Sequence, residues 1–409
     1  MSRLKLSSII RKLFKFKSYK IHELKFEYGN IIFKLKRTRT TSDCPKCKKR
    51  SNNFEEEYER QIRDLDISGK TCFIVFVERK IKCSCGYRGV EKLDFVDKYA
   101  RQTKRFEEYV SRLCQLMSLK DAGILSRIDW KTVKNIDKKY LKQLVIDLKS
   151  ITPTGIGVDE VSYQKKHKYL TVVRDIDSGK VIWVHEGRRK AILDLFFKEL
   201  GESKSRSIKT AVLDMWDPYI SSIQTNTNAD IVFDKFHIAK KVNEALDSVR
   251  KSEFANASDE ERKSFKKKRF IILYRKERLD EKKKEELNSL MVKNERLYQA
   301  YLLKEQILDI FDEQNEENAS VRLERWFENV SKAGFKQFDT VVSMFKSYYY
   351  GIKNYFKYHL TNAASEGFNN KIGVIKRRAY GFHDLEYLKL KILQSCGWNI
   401  PRLPTIEFE

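Results

Sequence analysis

The chain has 409 residues, 41% of them apolar, and a formal net charge of +26. That apolar share can fill a sizeable globular core. No run approaches the roughly 18 apolar residues of a membrane span, and so large a positive charge attracts phosphate backbones by counterion release, whatever their base sequence. The first residues, MSRLKLSSIIRKLFKFK, are basic and faintly amphipathic, without the apolar stretch and cleavage site of a secretory signal. Seven cysteines, an odd number with four of them clustered, point to a reducing, intracellular protein and not a disulfide scaffold.

Residues 20–37, KIHELKFEYGNIIFKLKR, alternate apolar and polar around a Tyr-Gly turn and read as a hairpin. CPKC follows at 44–47, then a strand-like run at 70–81, then CSCG at 83–86. Thiolates bind Zn2+ tetrahedrally, and two close pairs can complete the shell. Cys44, Cys47, Cys83 and Cys85 are therefore candidate ligands of one structural Zn2+ in a zinc ribbon, although one residue separates the second pair where two are usual. The other reading is four unrelated reduced cysteines. Cys72, Cys114 and Cys396 lie in apolar patterns and read as core.

Residues 105–150 are helical by pattern, with short breaks. Val110 and Leu113 recur at helical spacing, LKDAGILSRI makes a short second helix, and Asp129 is a candidate N-cap for WKTVKNIDKKYLKQL. This is a helix-turn-helix pattern. Its third helix carries Lys131, Thr132, Lys134, Lys138 and Lys139 and suits a major groove, with Lys131, Thr132 and Lys134 the candidate DNA contacts. A three-helix packing element that touches no DNA is the alternative.

From 151 to 250 strands and helices alternate: GIGVDEVSY, KYLTVVRDI and KVIWVHEG as strands, AILDLFFKEL as a helix, KTAVLDM as a strand, DPYISSIQ as a helix and ADIVFDKF as a strand. A helix over about 237–252 follows. Residues 253–350, dense in mixed charge and nearly free of Gly and Pro, read as a helical insertion, and 351–395 as further helix. The expected divisions are 1–98 for a β-rich region with the ribbon, 99–150 for the helix-turn-helix, 151–252 for the first part of an α/β core, 253–350 for the insertion and 351–409 for the rest of the core.

Three acids stand out. Asp159 ends the apolar run GIGV, Asp214 closes KTAVLDMW, and Glu366 opens the basic helix in TNAASEGFNNKIGVIKRR, where Thr361 and Asn362 can cap. Cleavage of a phosphodiester benefits from two divalent ions about 3.5–4 Å apart, and Mg2+ or Mn2+ prefers hard oxygen ligands gathered from separate elements. Two such ions per site, held by Asp159, Asp214 and Glu366, fit the pattern. Asn370, Gly373 and Arg377 follow Glu366 at offsets of four, seven and eleven, along one face. Asn370, Lys376, Arg377 and Arg378 are candidate DNA contacts. Asp234 also ends a strand, with His237 three residues on, and both are candidate accessory residues. Glu160 should face the other way from Asp159, and Asp175 and Asp217 read as turn or cap residues. Taken singly, each of these acids could equally be an exposed cap or ion-pair partner.

Together these blocks resemble the ISL-three family of bacterial insertion-sequence transposases, a branch of the Asp-Asp-Glu transposases. The likeness runs from CPKC and CSCG through DWKTVKNI, GVDEVSYQKKHKYLTVVRD, LDMWDPYI and VFDKFHIAKKVNEALDSVR to TNAASEGFNNKIGVIKRRAYGF. It implies an α/β, ribonuclease-H-like catalytic core with a helical insertion before the last acid, and a catalytic triad of Asp159, Asp214 and Glu366. Gly373 stands where the family tends to carry a lysine. The resulting expectation is a transposase that binds the terminal inverted repeats of its own element as double-stranded DNA, cuts and joins strands, and assembles as a homo-oligomer on DNA. It would be cytoplasmic and nucleoid-associated, with no membrane partner. An inert DNA-binding regulator and a nuclease without strand transfer remain as alternatives.

Overall fold

The computed structural model describes residues 16–145, 147–164, 168–258, 262, 268–379 and 381–397, without the side chains of 144 and 363–366. The basic N-terminal segment to residue 15 and the lysine run at 263–267 lie outside them. The described residues divide into two compact units between Leu144 and Val145.

In the first unit the hairpin is β1 (Tyr19–Glu27) and β2 (Asn30–Arg37). Tyr28 and Gly29 both take positive φ, which suits the twist of a two-residue hairpin turn. Short β3 (Ser42–Asp43) and β4 (Arg50–Ser51) pair with each other. β5 (Phe54–Ile67), β6 (Lys70–Lys82) and β7 (Arg88–Val90) complete a sheet in the order β1-β2-β6-β5, with β7 also on β6. β5 was not legible from its pattern. FEEEYERQIRDLDI is dominated by charge because it is an edge strand, and cross-strand ion pairs such as Arg60–Glu78 (2.6 Å) match it to β6.

Three helices follow: α1 (Lys104–Leu116), α2 (Leu119–Ser126) and α3 (Trp130–Leu144). Thr103 and Ser118 cap the first two, and Asp129 accepts from the Lys131 amide at 2.8 Å, as its capping position requires. Their shared core is Phe106, Val110, Cys114, Ala122, Val133 and Ile136. Gly123 is fixed by close approach, since a Cβ there would lie 2.9 Å from the Ile128 carbonyl oxygen. Fully buried Asp64 on β5 accepts from Thr103 Oγ1 and Arg105 Nε, both at 2.7 Å, and ties α1 to the sheet.

The second unit holds β8 (Gly155–Gln164), β9 (Lys168–Asp175), β10 (Val181–Glu186), α4 (Lys190–Leu200), α5 (Glu202–Arg206), β11 (Thr210–Leu213), α6 (Asp217–Asn226), β12 (Asp230–Phe233) and α7 (Lys235–Asn256). The sheet order is β10-β9-β8-β11-β12, antiparallel through β9 and parallel through β11 and β12. The segment 269–347 folds as α8 (Arg269–Leu273), α9 (Glu281–Lys293), α10 (Glu295–Ile310), α11 (Glu316–Ala333) and α12 (Lys336–Ser347). It shares one continuous core with the sheet, in which Trp326, Phe338 and Phe345 join Phe233 and Leu213. α13 (Tyr349–Tyr358), α14 (Ala363–Arg378) and α15 (Leu385–Cys396) close the chain. α14 and α15 cover one face of the sheet through Ile372, Leu388 and Ile392 on Val161, Leu170 and Val172. β8 runs five residues past Asp159, because Val161 and Tyr163 are buried in that contact. Asp159 is thus mid-strand, not at a strand end as the apolar run implied.

Candidate active site and metal centres

The two cysteine pairs come from two turns. Cys44 and Cys47 lie between β3 and β4, where the Lys48 amide donates back to the Cys44 carbonyl (2.9 Å). Cys83 and Cys85 lie between β6 and β7, where the Gly86 amide donates to the Cys83 carbonyl (3.0 Å). One ligand atom from each of the four lies within 4.8 Å of every other. Cys44 Sγ is 3.7 Å from Cys85 Sγ, and Cys47 Sγ is 3.6 Å from Cys83 Sγ. Four sulfurs at about 2.3 Å from a tetrahedral ion stand about 3.8 Å apart, so the thiols are already spaced for zinc. The single residue in CSC does not prevent this. It fits because Gly86, at φ +84°, turns the chain there. Cys72 and Cys114 are buried in core clusters of the first unit apart from this set, and Cys396 is buried in the second unit.

On α3 the lysines divide by role. Lys131 is exposed, Thr132 and Lys134 half-buried. Lys139 is engaged inside the unit, its Nζ 2.7 Å from both Asp97 and Glu107.

In the second unit adjacent strands bring acids together. Asp159 lies on central β8, Asp214 just beyond β11 and Asp234 just beyond β12. Asp159 accepts from the Glu160 amide (2.7 Å) and from Asn369 Nδ2 on α14 (3.0 Å). Burial, then the charge of Asp214, push the Asp159 carboxyl up to about 6. Asp214 Oδ2 meets His237 Nδ1 at 2.5 Å. Among the described residues, buried Asp214 Oδ1 has no hydrogen-bond partner. Asp234, almost fully buried, caps α7 through the Phe236 amide (3.2 Å), and burial raises its carboxyl above its ordinary value. For His237 burial opposes protonation, but the bond to Asp214 and the charges of Asp214, Asp234 and Asp159 raise it overall. Glu160 faces away, toward Arg188 (3.3 Å). The repulsion of Asp159 and Asp234 by Asp214 is what a hard cation held between such carboxylates would relieve.

Glu366 is on the first turn of α14, and its side chain lies outside the described residues. What fixes the start of that helix is described. Arg174, on the same face of β9 as Val172, is 5% exposed, and its Nη2 donates to Asn362 Oδ1 at 2.5 Å. The Asn362 amide in turn bonds to Asp234. Burial depresses Arg174, and the nearby charges of Asp159, Asp234 and Asp175 oppose that. Gly157 opposite makes the room, since a Cβ there would stand 3.0 Å from Arg174 Nη2 and 3.1 Å from Asn362 Oδ1. Further along α14, Asn370 and Arg377 are exposed and Arg378 half-buried, while Lys376 Nζ donates to the Ser162 carbonyl (2.9 Å). Lys376 thereby ties α14 to β8. Asp175 accepts from the Ser178 amide (3.2 Å), as a turn residue does, while Asp217, the first residue of α6, accepts from the Tyr348 hydroxyl (2.7 Å) in a tertiary contact.

The strand order, with acids on neighbouring strands facing a helix from the chain's end, defines a ribonuclease-H-like enzyme core of the kind that acts on nucleic-acid phosphodiesters with divalent ions. A model described as "Transposase" matches residues 156–392, "Helix-turn-helix domain of transposase family ISL3" matches 91–141, and "zinc-finger of transposase IS204/IS1001/IS1096/IS1165" matches 41–85, a span holding all four clustered cysteines. The chain is 31% identical over 371 residues to the transposase for insertion sequence element IS1001 of Bordetella parapertussis, covering 89% of this chain and 91% of that one. It is 26% identical over 388 residues to the transposase for insertion sequence element IS1557 of Mycobacterium tuberculosis, covering 88% and 87%. The chain belongs to the ISL3 family of transposases. It is a DNA-binding transposase whose domains use divalent metal ions and a structural zinc. Among the described residues no helix is long and apolar enough to cross a membrane.

Residue-by-residue reading missed Arg174, Asn369 and the bridging role of Asn362. Period-two alternation in KYLTVVRD places Arg174 on the buried face with Leu170 and Val172, and an arginine there was a usable signal. Nothing in the sequence separates Asn369 from its neighbour Asn370.

Proposed function

We propose that this transposase recognises the terminal inverted repeats of its own element with the first unit, and cuts and rejoins DNA at Asp159, Asp214 and Glu366. The observation that carries the reading is the Asp159–Asp214 pair from neighbouring strands, in which Asp214 raises the Asp159 carboxyl and, among the described residues, one buried Asp214 oxygen is left unbonded. Asp159 and Asp214 would hold two divalent ions, with Glu366 completing the set from α14. When bound, such ions supply an activated attacking oxygen and neutralise the departing one. Asn369 orients Asp159 by donating to Oδ2, and His237 orients Asp214 in the same way. Asp234 supports the site from below as cap of α7 and partner of Asn362.

Cys44, Cys47, Cys83 and Cys85 would share one zinc and stiffen the ribbon. Lys131, Thr132 and Lys134 would enter the major groove, and Asn370, Arg377 and Arg378 would line the DNA path beside the acids. We retain 1–98, 99–150, 151–252, 253–350 and 351–409 as working divisions. Joining two ends requires at least two subunits on DNA, which favours a homo-oligomer there and a nucleoid location.

The test uses duplexes carrying the element's ends in Mg2+. The wild type should yield nicked and joined products, and Asp214→Asn should bind the ends and yield neither. Cutting by Asp214→Asn would reject the assignment. Nicks without joining would mark a nuclease, and binding without any cut by the wild type a regulator.

A further inference from the structure

The sheet of the first unit has two edges, and the chain treats them differently. The β5 edge is covered: the Arg63 amide donates to the Arg101 carbonyl and the Thr103 amide to the Arg63 carbonyl, both at 2.9 Å. On the other edge β1 pairs with β2 alone among the described residues. An open edge presents unpaired N–H and C=O groups, a template for a further strand. Tyr28 and Gly29 make a two-residue turn, so Glu27 and Asn30 form the hydrogen-bonded pair that closes it. Alternation from there turns the backbone groups of Lys25 toward β2 and those of Leu24 and Phe26 outward.

Side chains alternate along the same stretch. Glu23, Lys25 and Glu27 share a face, with Lys25 Nζ 3.6 Å from Glu23 Oε1 and 3.9 Å from Glu27 Oε1. Leu24 and Phe26 lie on the other, opposite Phe33 and Ile31, which are both buried. Leu24 is 40% exposed and Phe26 67%. The apolar face of the sheet thus runs out to the open edge and ends in solvent there. β1 is also complementary to itself. Set antiparallel against a second copy about a two-fold axis at Leu24, it opposes each Glu23 to the other copy's Lys25, and Leu24 to Leu24. The outward backbone groups of Leu24 then bond reciprocally on the axis. An axis at Lys25 would oppose Lys25 to Lys25 and Glu23 to Glu27, like charges throughout. An axis at Phe26 would set Leu24 against Tyr28, which has left the strand at φ +49°.

We propose that β1 is the surface on which a second copy of this chain docks, edge to edge, making one continuous sheet across a two-fold axis at Leu24. The proposal rests on the homo-oligomer reading above and not on the acids. The partner is a second copy because Glu23, Leu24 and Lys25 supply both sides of every match. The register shift between Ile21 and Glu23 keeps the regular pairing short. So short a contact buries less than a standard interface, and it holds where two chains are already brought together, each on one DNA end. The DNA there also offsets the repulsion between two chains of charge +26.

The experiment mixes full-length, zinc-loaded protein with short duplexes that each carry one element end. Sedimentation velocity then measures the association of end-bound chains into complexes of two chains and two ends. Glu23→Lys and Lys25→Glu should each weaken that association about tenfold, as two opposite-charge pairs become two like pairs. An equimolar mixture of the two variants should restore it to within about twofold of wild type, because each chain then carries the charges that the other lacks. Glu27→Lys adds the same charge outside the matched residues and should stay within about twofold of wild type. A mixture no better than either variant alone would overturn the proposal. Single variants that associate like wild type would also overturn it, while leaving a homo-oligomer built on another surface. Wild type that holds one end per complex at every concentration would remove the homo-oligomer reading as well. Should either charge variant fail to fold, hydrogen exchange on the wild type decides. The Leu24 amide should exchange at least about tenfold more slowly in two-end complexes than in one-end complexes, and equal exchange would refute the docking.

Discussion

The four thiols of the first unit come from two tight turns and stand within 4.8 Å of one another, with no other ligand required. The described acids of the second unit, Asp159, Asp214 and Asp234, sit on or just past three strands; Asp214 repels the other two, and among the described residues one of its oxygens is buried without a partner. A closed sulfur set suits an ion whose work is to hold loops together, and an open oxygen set suits ions whose work is to meet substrate. The two centres should therefore fail differently. Losing the first should lower stability and binding, and losing the second should remove chemistry while leaving the fold intact.

The sharpest test of that contrast is Asp159→Asn or Asp214→Asn. Either should reduce cutting on the order of a thousandfold, with end binding within about twofold. A comparable loss of binding would show that the acid site is structural. Cys44→Ser should remove most bound zinc, lower the melting temperature of the first unit and weaken end binding about tenfold or more. Unchanged zinc content would dissolve the contrast from the other side.

Asn362→Ala and Gly157→Ala should each slow cutting about tenfold with zinc content unchanged. The first removes the acceptor of Arg174, at a cost of about 1–3 kcal/mol for a buried group left unpaired, and the second wedges a methyl against both partners. Rates equal to wild type would mean that the bridge does not position α14.

The pH dependence of the metal-free protein probes the repulsion between acids. Asp159 has a folded value of about 6 against an ordinary 3.8, so between those values the folded chain binds the extra proton. Its contribution to stability therefore falls as pH rises from about 4 to 6, by on the order of 2 kcal/mol, and stays low above that. Asp159→Asn should remove this slope, and an unaltered slope in thermal melts would refute it. The smallest effects fall on α3. Lys139→Ala should destabilise the first unit by at most about 1 kcal/mol, given its part-exposed pairs, without changing salt dependence. Lys131→Ala should leave melting unchanged and reduce the salt slope of end binding by about 1.

What the sequence disclosed follows periodicity. β2 of the hairpin and the helices of 104–144 bury one regular face, the core strands β10, β11 and β12 are apolar runs buried on both faces, and both patterns are written in the order of residues. The cysteine pairs are local and equally plain. β5 hid because an edge strand can be almost wholly charged. Lys139 and Lys376 hid their partners because an ammonium reads as solvent-facing until its neighbours in space are known. Arg174, Asn362 and Gly157 lie up to 205 positions apart in number and meet only when β9, β8 and the approach to α14 are assembled. No local pattern carries such a contact.

The most direct measurement is a titration of the metal-free protein with Mn2+, followed by electron paramagnetic resonance in wild type and Asp214→Asn with the zinc site kept filled. The account predicts bound Mn2+ in the wild type and its loss in Asp214→Asn at unchanged melting behaviour of the first unit. Mn2+ held equally by both proteins would contradict it.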